Sequence, residues 1–245
     1  MIIDGKKIAE EIIAGLTLLR QGYEGPTLGV VMDESNAASQ SFVKKKERTA
    51  NHVGVTIKRF SSQDFKKALE CDGIIVQLPI ENSDELIAKI PPEKDVDALG
   101  KHPLVLSPVA KAIGEVLSRT GVSVSGKQAV VVGAGRLVGI PAKELLEDAG
   151  AKVYVVTQTI GSLSELKDAD IVVLGAGNPG MVTPEMLKEG VVLIDAGTSE
   201  QGGKVAGDAT PSCANVASVF TPVPGGIGPI AVAMIFKNLF ELAKR

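Results

Sequence analysis

The chain has 245 residues, which is enough for one large domain or two smaller ones with a substantial buried core. Hydrophobic residues make up 44% and charged residues 22%, and the 27 glycines are typical of an α/β protein with many tight turns between strands and helices. The formal net charge is −3 and no run of basic residues extends beyond residues 44–46, so the sequence predicts no nucleic-acid partner.

The two cysteines, Cys71 and Cys213, lie far apart and have no partner at metal-ligand spacing. They are predicted to be buried thiols in a reducing compartment. The first residues lack the basic region and continuous apolar stretch of a signal peptide. No window approaches the roughly 18 apolar residues that cross a bilayer. The sequence therefore predicts a cytoplasmic protein without a membrane partner.

The first hundred residues alternate between helical and strand patterns, which favours a parallel sheet. An amphipathic helix is predicted over residues 4–20, with Asp4 as its N-cap. The other elements predicted in this part are strands at 27–32, 53–60 and 73–78 and helices at 39–51, 63–70 and 82–90.

A second alternating set follows a predicted domain boundary near residues 104–108. The stretch 220–229 is too rich in proline and glycine for a helix or a strand. The fold class is therefore α/β with two domains. The predicted elements are strands at 128–133, 151–157, 170–175 and 191–197 and helices at 107–119, 137–150, 162–167, 183–188 and 230–244.

A glycine-rich turn joins the strand at 128–133 to the next helix. Gly133, Gly135 and Gly139 have the spacing G-x-G-x-x-x-G, one residue longer than the usual dinucleotide fingerprint. Glycine lets the backbone turn sharply and approach a pyrophosphate, whose charge is stabilised by the N–H groups at the start of a helix. The strand–turn–helix context favours dinucleotide binding over a purely structural turn.

The carboxylate that normally binds the ribose of NAD, about 20 residues after the turn, is absent. The next strand ends in Thr157, Gln158 and Thr159, and Arg136 lies in the glycine turn. Because no carboxylate would repel a 2′-phosphate, the sequence favours NADP, with NAD as the alternative.

Five segments together resemble one family. They are DGIIVQLPI (72–80), PPEKDVDAL (91–99), VVG…VGIP (131–141), GDA (207–209) and TPVPGGIGPIAVAM (221–234). In this order they resemble the bifunctional methylenetetrahydrofolate dehydrogenase/methenyltetrahydrofolate cyclohydrolase family over nearly the whole chain. The resemblance implies oxidation of 5,10-methylenetetrahydrofolate with a nicotinamide dinucleotide, followed by hydrolysis to 10-formyltetrahydrofolate. The substrates would be tetrahydrofolate one-carbon derivatives.

The resemblance also implies the domain organisation. Residues 1–106 and 229–245 would form a folate-binding catalytic domain, and residues 107–228 a Rossmann-like domain with a doubly wound parallel sheet. The C-terminal helix would pack back on the first domain, and the two domains would flank a cleft. Members of the family are usually homodimers, so a homodimer is expected. No metal is required, and the isolated His52 and His102 offer no ligand cluster.

The family's catalytic pair is a tyrosine and a lysine four residues later. Here Phe42 stands at the tyrosine position and Lys46 at the lysine position. Ser39, Phe42 and Lys46 are spaced i, i+3, i+7, which predicts a shared helix face, whereas Lys44 and Lys45 are expected to be solvated. Without the resemblance, a lysine on this face would more often be structural than catalytic.

The resemblance assigns further residues to the site. Gln77 would orient Lys46, Asp97 would bind the pterin as a carboxylate, and Asp95 would be structural. The complete set of predicted contacts is Ser39, Phe42, Pro224, Gly225 and Gly226 for the folate, and Gly133, Ala134, Gly135, Arg136, Gly139, Thr157 and Thr198 for the dinucleotide.

The sequence departs from the family pattern in three respects. Phe42 lacks the hydroxyl of the tyrosine, which predicts weak hydrolysis. Ala134 and Gly135 replace an Arg-Ser pair that would hold the 2′-phosphate, and the first domain is short.

Two other functions stay open at this level. A dehydrogenase of another small substrate is disfavoured by the KDVD and PVPGG segments. A catalytically impaired paralogue that only binds folate or dinucleotide is disfavoured by the retention of Lys46, Gln77 and Asp97.

Overall fold

The computed structural model describes residues 1–19, 24–201 and 204–244. It contains two compact units, each assembled from separate parts of the chain. The three-stranded unit consists of Ala9–Pro108 and Val232–Arg245. The five-stranded unit consists of Met1–Ile8 and Val109–Ala231. Among the described residues, no helix is both long and apolar enough to cross a membrane.

The sheet of the three-stranded unit is parallel throughout. Its strands are β1 (Thr27–Val31), β2 (Thr56–Phe60) and β3 (Gly73–Val76), in the order β2-β1-β3. The residues of β3 are all buried, and so are all but the first of β1. Such strands appear as continuous apolar runs in the sequence because both of their faces are covered.

Besides the C-terminal helix, four helices among the described residues belong wholly or mainly to this unit. They are α1 (Gly5–Leu19), α2 (Ala37–Val53), α3 (Phe65–Ala68) and α4 (Ser83–Ala88). The predicted cap of α1 is confirmed, since a carboxylate oxygen of Asp4 accepts the N–H of Lys7 at 3.1 Å. Residue 20 of the predicted helix lies outside the described residues. The predicted helix at 63–70 is a 3₁₀ turn, Ser62–Asp64, followed by the single turn of α3.

The C-terminal helix α7 (Ile227–Ala243) completes the core of the three-stranded unit. Its fully buried Phe236 and Leu239 share one hydrophobic cluster with Leu28 and Met32 of the β1 region. The predicted return of the last helix to the first domain is confirmed. Burying such side chains contributes about 1.5–3 kcal/mol each, so the unit depends on this helix.

The five-stranded unit has a doubly wound parallel sheet in the order β10-β7-β6-β4-β5. From β4 the chain first adds β5 on one side and then returns to add β6, β7 and β10 on the other. The direction therefore switches between β4 and β6, where such sheets hold their ligands at the carboxyl ends of the strands. The strands are β4 (Gln128–Val132), β5 (Lys152–Val156), β6 (Ile171–Leu174), β7 (Val192–Asp195) and β10 (Val219–Thr221).

Among its described residues, this unit contains α5 (Pro108–Arg119) and α6 (Gly139–Asp148), together with the first residues of α1 and of α7. The helices predicted at 162–167 and 183–188 are instead 3₁₀ segments, Leu163–Lys167 and Pro184–Met186. Both are too short to establish a series of α-helical hydrogen bonds. A further 3₁₀ segment spans Pro211–Asn215.

The prediction of no regular structure at 220–229 is wrong at both ends. Phe220 and Thr221 belong to β10, which pairs with β7, and α7 already begins at Ile227. Proline is tolerated in a first helical turn, where its missing N–H would have had no partner in the helix, so Pro229 does not prevent an early start.

Two short strand pairings were not predicted from the sequence. An antiparallel hairpin is formed by β8 (Ser199–Gln201) and β9 (Lys204–Ala206). In the five-stranded unit, Ile2 forms a parallel bridge to Phe220, and Ile3 donates its N–H to the carbonyl of Phe220 at 2.9 Å. The first residues thus extend the β10 edge of the sheet, and Met1–Ile8 group with this unit.

Candidate active site

Lys46 lies on the buried face of α2. The helix is well defined at both ends, because the Asn36 side chain accepts the N–H of Ser39 at 2.9 Å and Gly54 closes the helix with a φ of 64°. Only 8% of Lys46 is exposed. A charged amine is rarely buried to this extent without a partner.

That partner is Gln77, the first residue after β3. The Lys46 amine donates to Gln77 Oε1 at 2.5 Å, and Gln77 Nε2 donates to the carbonyl of Leu78 at 3.0 Å. The main-chain N–H of Gln77 donates to the carbonyl of Val31 at 2.8 Å, which fixes the residue at the carboxyl end of the sheet. Both groups of the Gln77 amide are therefore engaged, and its oxygen is directed at the lysine.

The KDVD segment supplies two carboxylates with different environments. Asp95 is buried, and its Oδ2 accepts the N–H of Gly100 at 2.7 Å, which confirms its predicted structural role. Asp97 is partly buried and interacts electrostatically with Lys46. Ala98 follows with a positive φ of 55°, a conformation that few side chains adopt.

Burial shifts both ionisable groups of this centre toward their neutral forms. It raises the pKa of Asp97 to about 6, while the charge of Lys46 lowers that pKa and the charge of Asp95 raises it. Burial lowers the pKa of Lys46, and the charge of Asp97 opposes that shift. A lysine with a lowered pKa exchanges protons more readily near neutral pH than a solvated one.

Ser39 and Lys46 share the buried face of α2, but Phe42 does not. Phe42 is 45% exposed, and Lys45 Nζ lies 5.3 Å from the centre of its ring. A helix rotates by about 100° per residue, which places position 42 beside the line joining 39 and 46 rather than on it. Ser39 is fully buried, and its hydroxyl has no hydrogen-bond partner among the described residues.

The glycine turn lies at the carboxyl end of β4, beside the switch in strand order. Gly133 has a φ of 99°, and a Cβ on it would lie 2.6 Å from the carbonyl oxygen of Gly175. A Cβ on Gly139 would lie 2.9 Å from Cα of Ala134. These two glycines are therefore required by the fold itself.

Gly135 differs from both. It has no positive φ, and a Cβ on it would have no described atom within 4 Å. The protein chain therefore does not require a glycine at this exposed position. A side chain here would instead fill the space over the turn, which is where a pyrophosphate approaches the backbone of such a fold.

The other predicted dinucleotide residues border the same end of the sheet. Ala134 and Arg136 are exposed in the turn, and Thr198 is exposed after β7. Thr157 follows β5 and is partly buried; its Oγ1 accepts the N–H of Ile160 at 3.1 Å, so its hydroxyl also shapes the local turn.

The predicted folate residues Pro224, Gly225 and Gly226 lie between β10 and α7, in the five-stranded unit. Gly225 has a φ of 108° and accepts the N–H of Gly5 at 2.8 Å. The structure thus brings Lys46, Gln77 and Asp97 together in one unit, and the glycine turn and the 224–226 segment belong to the other.

Two buried carboxylates, Asp195 at the end of β7 and Asp208 against the loop after β6, were missed at the sequence level. Asp195 ends β7, and burial raises its pKa to about 6 although the N–H groups of Ala209, Asp208 and Gly197 lower it. Asp208 is fully buried and accepts backbone N–H groups from the loop after β6. The quoted GDA segment was the only signal for Asp208.

These features define a two-domain α/β protein with a Rossmann-type dinucleotide site and a buried lysine–glutamine centre. Within the described part of the chain, no group of three His, Cys, Asp or Glu residues could hold a metal ion. A family model described as the catalytic domain of tetrahydrofolate dehydrogenase/cyclohydrolase matches residues 3–97. The model of the NAD(P)-binding domain of the same enzymes matches residues 107–245.

Individual relatives agree with these models. The chain is 37% identical over 278 residues to the bifunctional protein FolD of Halothermothrix orenii, covering 99% of this chain and 98% of the relative. The crystal structure of the bifunctional enzyme FolD, a methylenetetrahydrofolate dehydrogenase/cyclohydrolase from Campylobacter jejuni, matches with a TM-score of 0.92 and 28% identity, covering 100% of this chain and 98% of that one. The Trypanosoma brucei enzyme, complexed with NADP and an inhibitor, matches with a TM-score of 0.91 and 30% identity, covering 100% and 97%. The chain therefore belongs to the tetrahydrofolate dehydrogenase/cyclohydrolase family.

Proposed function

We propose that this protein oxidises 5,10-methylenetetrahydrofolate to 5,10-methenyltetrahydrofolate with NADP and hydrolyses the product to 10-formyltetrahydrofolate. The observation that carries the proposal is the hydrogen bond from the buried Lys46 to the partly buried Gln77, beside Asp97, in a chain of this family. The family assignment argues against a dehydrogenase of another small substrate.

The residues of the five-stranded unit fit a dinucleotide. The open space over Gly135 leaves room for a pyrophosphate, and the exposed Arg136 offers a guanidinium for the 2′-phosphate of NADP. We propose that Gly133, Ala134, Gly135, Arg136, Gly139, Thr157 and Thr198 hold it. A dinucleotide held there would supply the acceptor for the hydride that leaves the methylene carbon of the folate.

Asp97 and Phe42 would orient the folate for this transfer. The Asp97 carboxylate can accept hydrogen bonds from the amino and ring N–H groups of the pterin, and the half-exposed ring of Phe42 can stack on the aminobenzoate. The transfer then depends chiefly on holding two ring systems in register. Ser39 and the segment Pro224–Gly225–Gly226 are further proposed folate contacts.

Hydrolysis requires proton transfer, and Lys46 is the residue proposed to provide it. Because burial lowers its pKa, a larger fraction of Lys46 is neutral near physiological pH than for a solvated lysine. The neutral amine can take a proton from the attacking water, and the resulting ammonium can return it as the ring opens. Gln77 keeps the amine in place.

We further propose the domain boundaries, the location in the cell and the oligomeric state that the family suggests. Residues 1–106 and 229–245 would form the folate-binding catalytic domain, and residues 107–228 the dinucleotide-binding domain. Within this division, Met1–Ile8 extend from the catalytic domain to the β10 edge of the five-stranded sheet. The enzyme would act in the cytoplasm as a homodimer. Sedimentation of the purified protein tests the homodimer independently of any activity.

One assay tests the proposed function. Purified protein is mixed with 5,10-methylenetetrahydrofolate and either NAD or NADP, and the absorbance of the reduced nicotinamide is followed. A second arm follows the decay of methenyltetrahydrofolate, corrected for its spontaneous hydrolysis. Turnover with NADP in the first arm is expected. Absence of reduction with both dinucleotides would contradict the proposal and favour the impaired paralogue.

A further inference from the structure

A second glycine-rich loop lies against the dinucleotide turn. This loop, residues 175–178, follows β6 and reads GAGN. Its contact with the turn is close, because a Cβ on Gly133 would lie 2.6 Å from the carbonyl oxygen of Gly175. A Cβ on Gly175 would lie 2.8 Å from Cβ of Val138. Any displacement of the loop therefore changes the wall of the dinucleotide site.

The loop has the geometry of an anion-binding nest. Successive backbone N–H groups around a residue of positive φ converge on one point and attract an anion. Here Gly177 has a φ of 69°. The N–H groups of Ala176, Gly177 and Asn178 all point to the side chain of Asp208, at 2.7, 3.1 and 2.7 Å. The anion in this nest is thus a carboxylate of the protein itself.

Asp208 is fixed in that position by the neighbouring strand. It is fully buried, and its own N–H donates to Asp195 Oδ1 at 3.2 Å. The N–H of Ala209 donates to Asp195 Oδ2 at 2.9 Å, and the N–H of Val182 donates to the carbonyl of Asp208 at 3.0 Å. The carboxylate is therefore anchored to the end of β7 and to the strand-like segment around Val182.

We propose that Asp208 is a positioning residue for the dinucleotide, because its carboxylate fills the nest at 176–178 and leaves the glycine turn at 133–139 as the site for the pyrophosphate. Two glycine-rich loops at adjacent strand ends could otherwise compete for the same anion. The Asp208 carboxylate uses the donors of one loop and repels phosphate from it. It also holds that loop against the turn. This inference rests on the proposed dinucleotide-dependent function.

Asp208→Asn tests the proposal, because the amide has nearly the same shape but only one acceptor oxygen and no charge. At least one loop N–H then loses its acceptor. We expect amide hydrogen exchange in a peptide covering 176–178 to accelerate and the Kd of NADPH, measured by its fluorescence on binding, to rise about ten-fold or more. The KM for the dinucleotide should rise more than kcat falls.

Asp170→Asn is the matched control. Asp170 lies just before β6 in the same unit, and it also accepts a backbone N–H, that of Gln128 at 3.1 Å, and pairs with Lys188 at 2.7 Å. This variant weakens a backbone hydrogen bond and an ion pair of a carboxylate at the amino end of the sheet, so NADPH affinity and exchange at 176–178 should not change. A rise in Kd equal to that of Asp208→Asn would show a general loss of stability and overturn the proposal.

Ser199→Ala provides a second arm if Asp208→Asn does not fold. The partly exposed Ser199 donates its hydroxyl to the carbonyl of Gly177 at 2.8 Å and so tethers the same loop from another side. Its loss should raise the Kd of NADPH about two- to five-fold. Wild-type protein that does not bind NADPH would refute the proposed function. If wild-type protein binds NADPH and Asp208→Asn binds it with the same affinity, only the role of Asp208 is refuted. If Asp208→Asn does not fold, unchanged NADPH affinity in Ser199→Ala has the same meaning.

Discussion

The amine of Lys46 on α2 donates to the side-chain oxygen of Gln77, 31 residues later, at 2.5 Å. The first prediction follows from this pair. Lys46→Met removes the proposed proton carrier but keeps an apolar stem, so hydrolysis of methenyltetrahydrofolate should fall to the spontaneous rate while dehydrogenase activity falls less. Absorbance decay of the methenyl substrate measures the effect. Lys45→Met is the matched control, since Lys45 is exposed, and it should leave hydrolysis intact.

Phe42→Tyr should raise the hydrolytic rate. The ring lies beside the buried face that carries Lys46, and a hydroxyl there could hold the lysine in its working protonation state. A contribution of about 1.4 kcal/mol to the barrier corresponds to a ten-fold gain. The dehydrogenase rate should change little, because stacking is retained. A wild-type enzyme that hydrolyses as fast as it dehydrogenates, with no gain in the variant, would refute this account of position 42.

The folate specificity constant should decline below pH 6. Burial raises the pKa of Asp97 to about 6, and only the carboxylate form can accept both pterin N–H groups. A profile of kcat/KM against pH at saturating NADP should show an acid limb near this value. The Asp97→Asn variant, although less active, should lack that limb. An identical limb in the variant would assign the titration to another group.

Acid unfolding caused by protonation of Asp97 does not explain a decline in kcat/KM below pH 6. The folded pKa of about 6 lies above the ordinary 3.8, so between these values the folded state binds more protons than the unfolded state. The free energy of unfolding contributed by this group therefore increases as the pH falls through that window. Circular dichroism at pH 5.5 and pH 7.5 should show a folded protein in both conditions.

Gly135→Val should impair dinucleotide binding, whereas Gly133→Val should impair folding. Valine at 135 enters open space, so thermal stability should be retained while dinucleotide affinity falls at least about ten-fold. Valine at 133 meets the carbonyl oxygen of Gly175 at 2.6 Å in a backbone conformation of positive φ, so the fold itself should be destabilised. Titration with NADPH and thermal melts distinguish the two. Unchanged affinity in Gly135→Val would locate the dinucleotide elsewhere.

Arg136→Ala should raise the KM for NADP far more than the KM for NAD. The exposed guanidinium is the candidate partner of the 2′-phosphate, and a charge-assisted pair is lost with it. Arg119→Ala, which removes a surface arginine that pairs with Glu115 at 2.7 Å, is the control and should leave the ratio unchanged. Equal effects of Arg136→Ala on both dinucleotides would show that another residue discriminates between them.

The buried strands were the part of the fold most accessible from the sequence. Apolar runs predicted β4 and β6, and the observed strands end only one residue before the predicted limits of 133 and 175. A short apolar run bounded by turn residues has few other stable conformations in a protein of this class. The glycines after these strands likewise indicated where the chain turns.

Features made by distant residues were not accessible in this way. The strands β8 and β9 have only three residues each, too few to show a pattern, and Ile2 pairs with the distant Phe220. The contact between Asp208 and Ala176 joins positions 32 residues apart, and no sequence pattern in either segment predicts it. The proposed catalytic role of Lys46 rests on the family resemblance, because helix geometry alone favours a structural role for this residue.

Each unit is built from chain segments that lie far apart in sequence, and this constrains how the nascent chain folds. The sheet of β1–β3 is synthesised early, yet its core requires Phe236 and Leu239 near the end of the chain. The five-stranded unit likewise joins Ile2 to Phe220. Translation proceeds at about 5–20 residues per second, and roughly 160 residues separate the end of β3 from Phe236, so the apolar face that α7 covers is exposed on the ribosome for about 8–30 seconds. Chaperone binding during synthesis should therefore concentrate on the early three-stranded sheet and end when the last helix emerges.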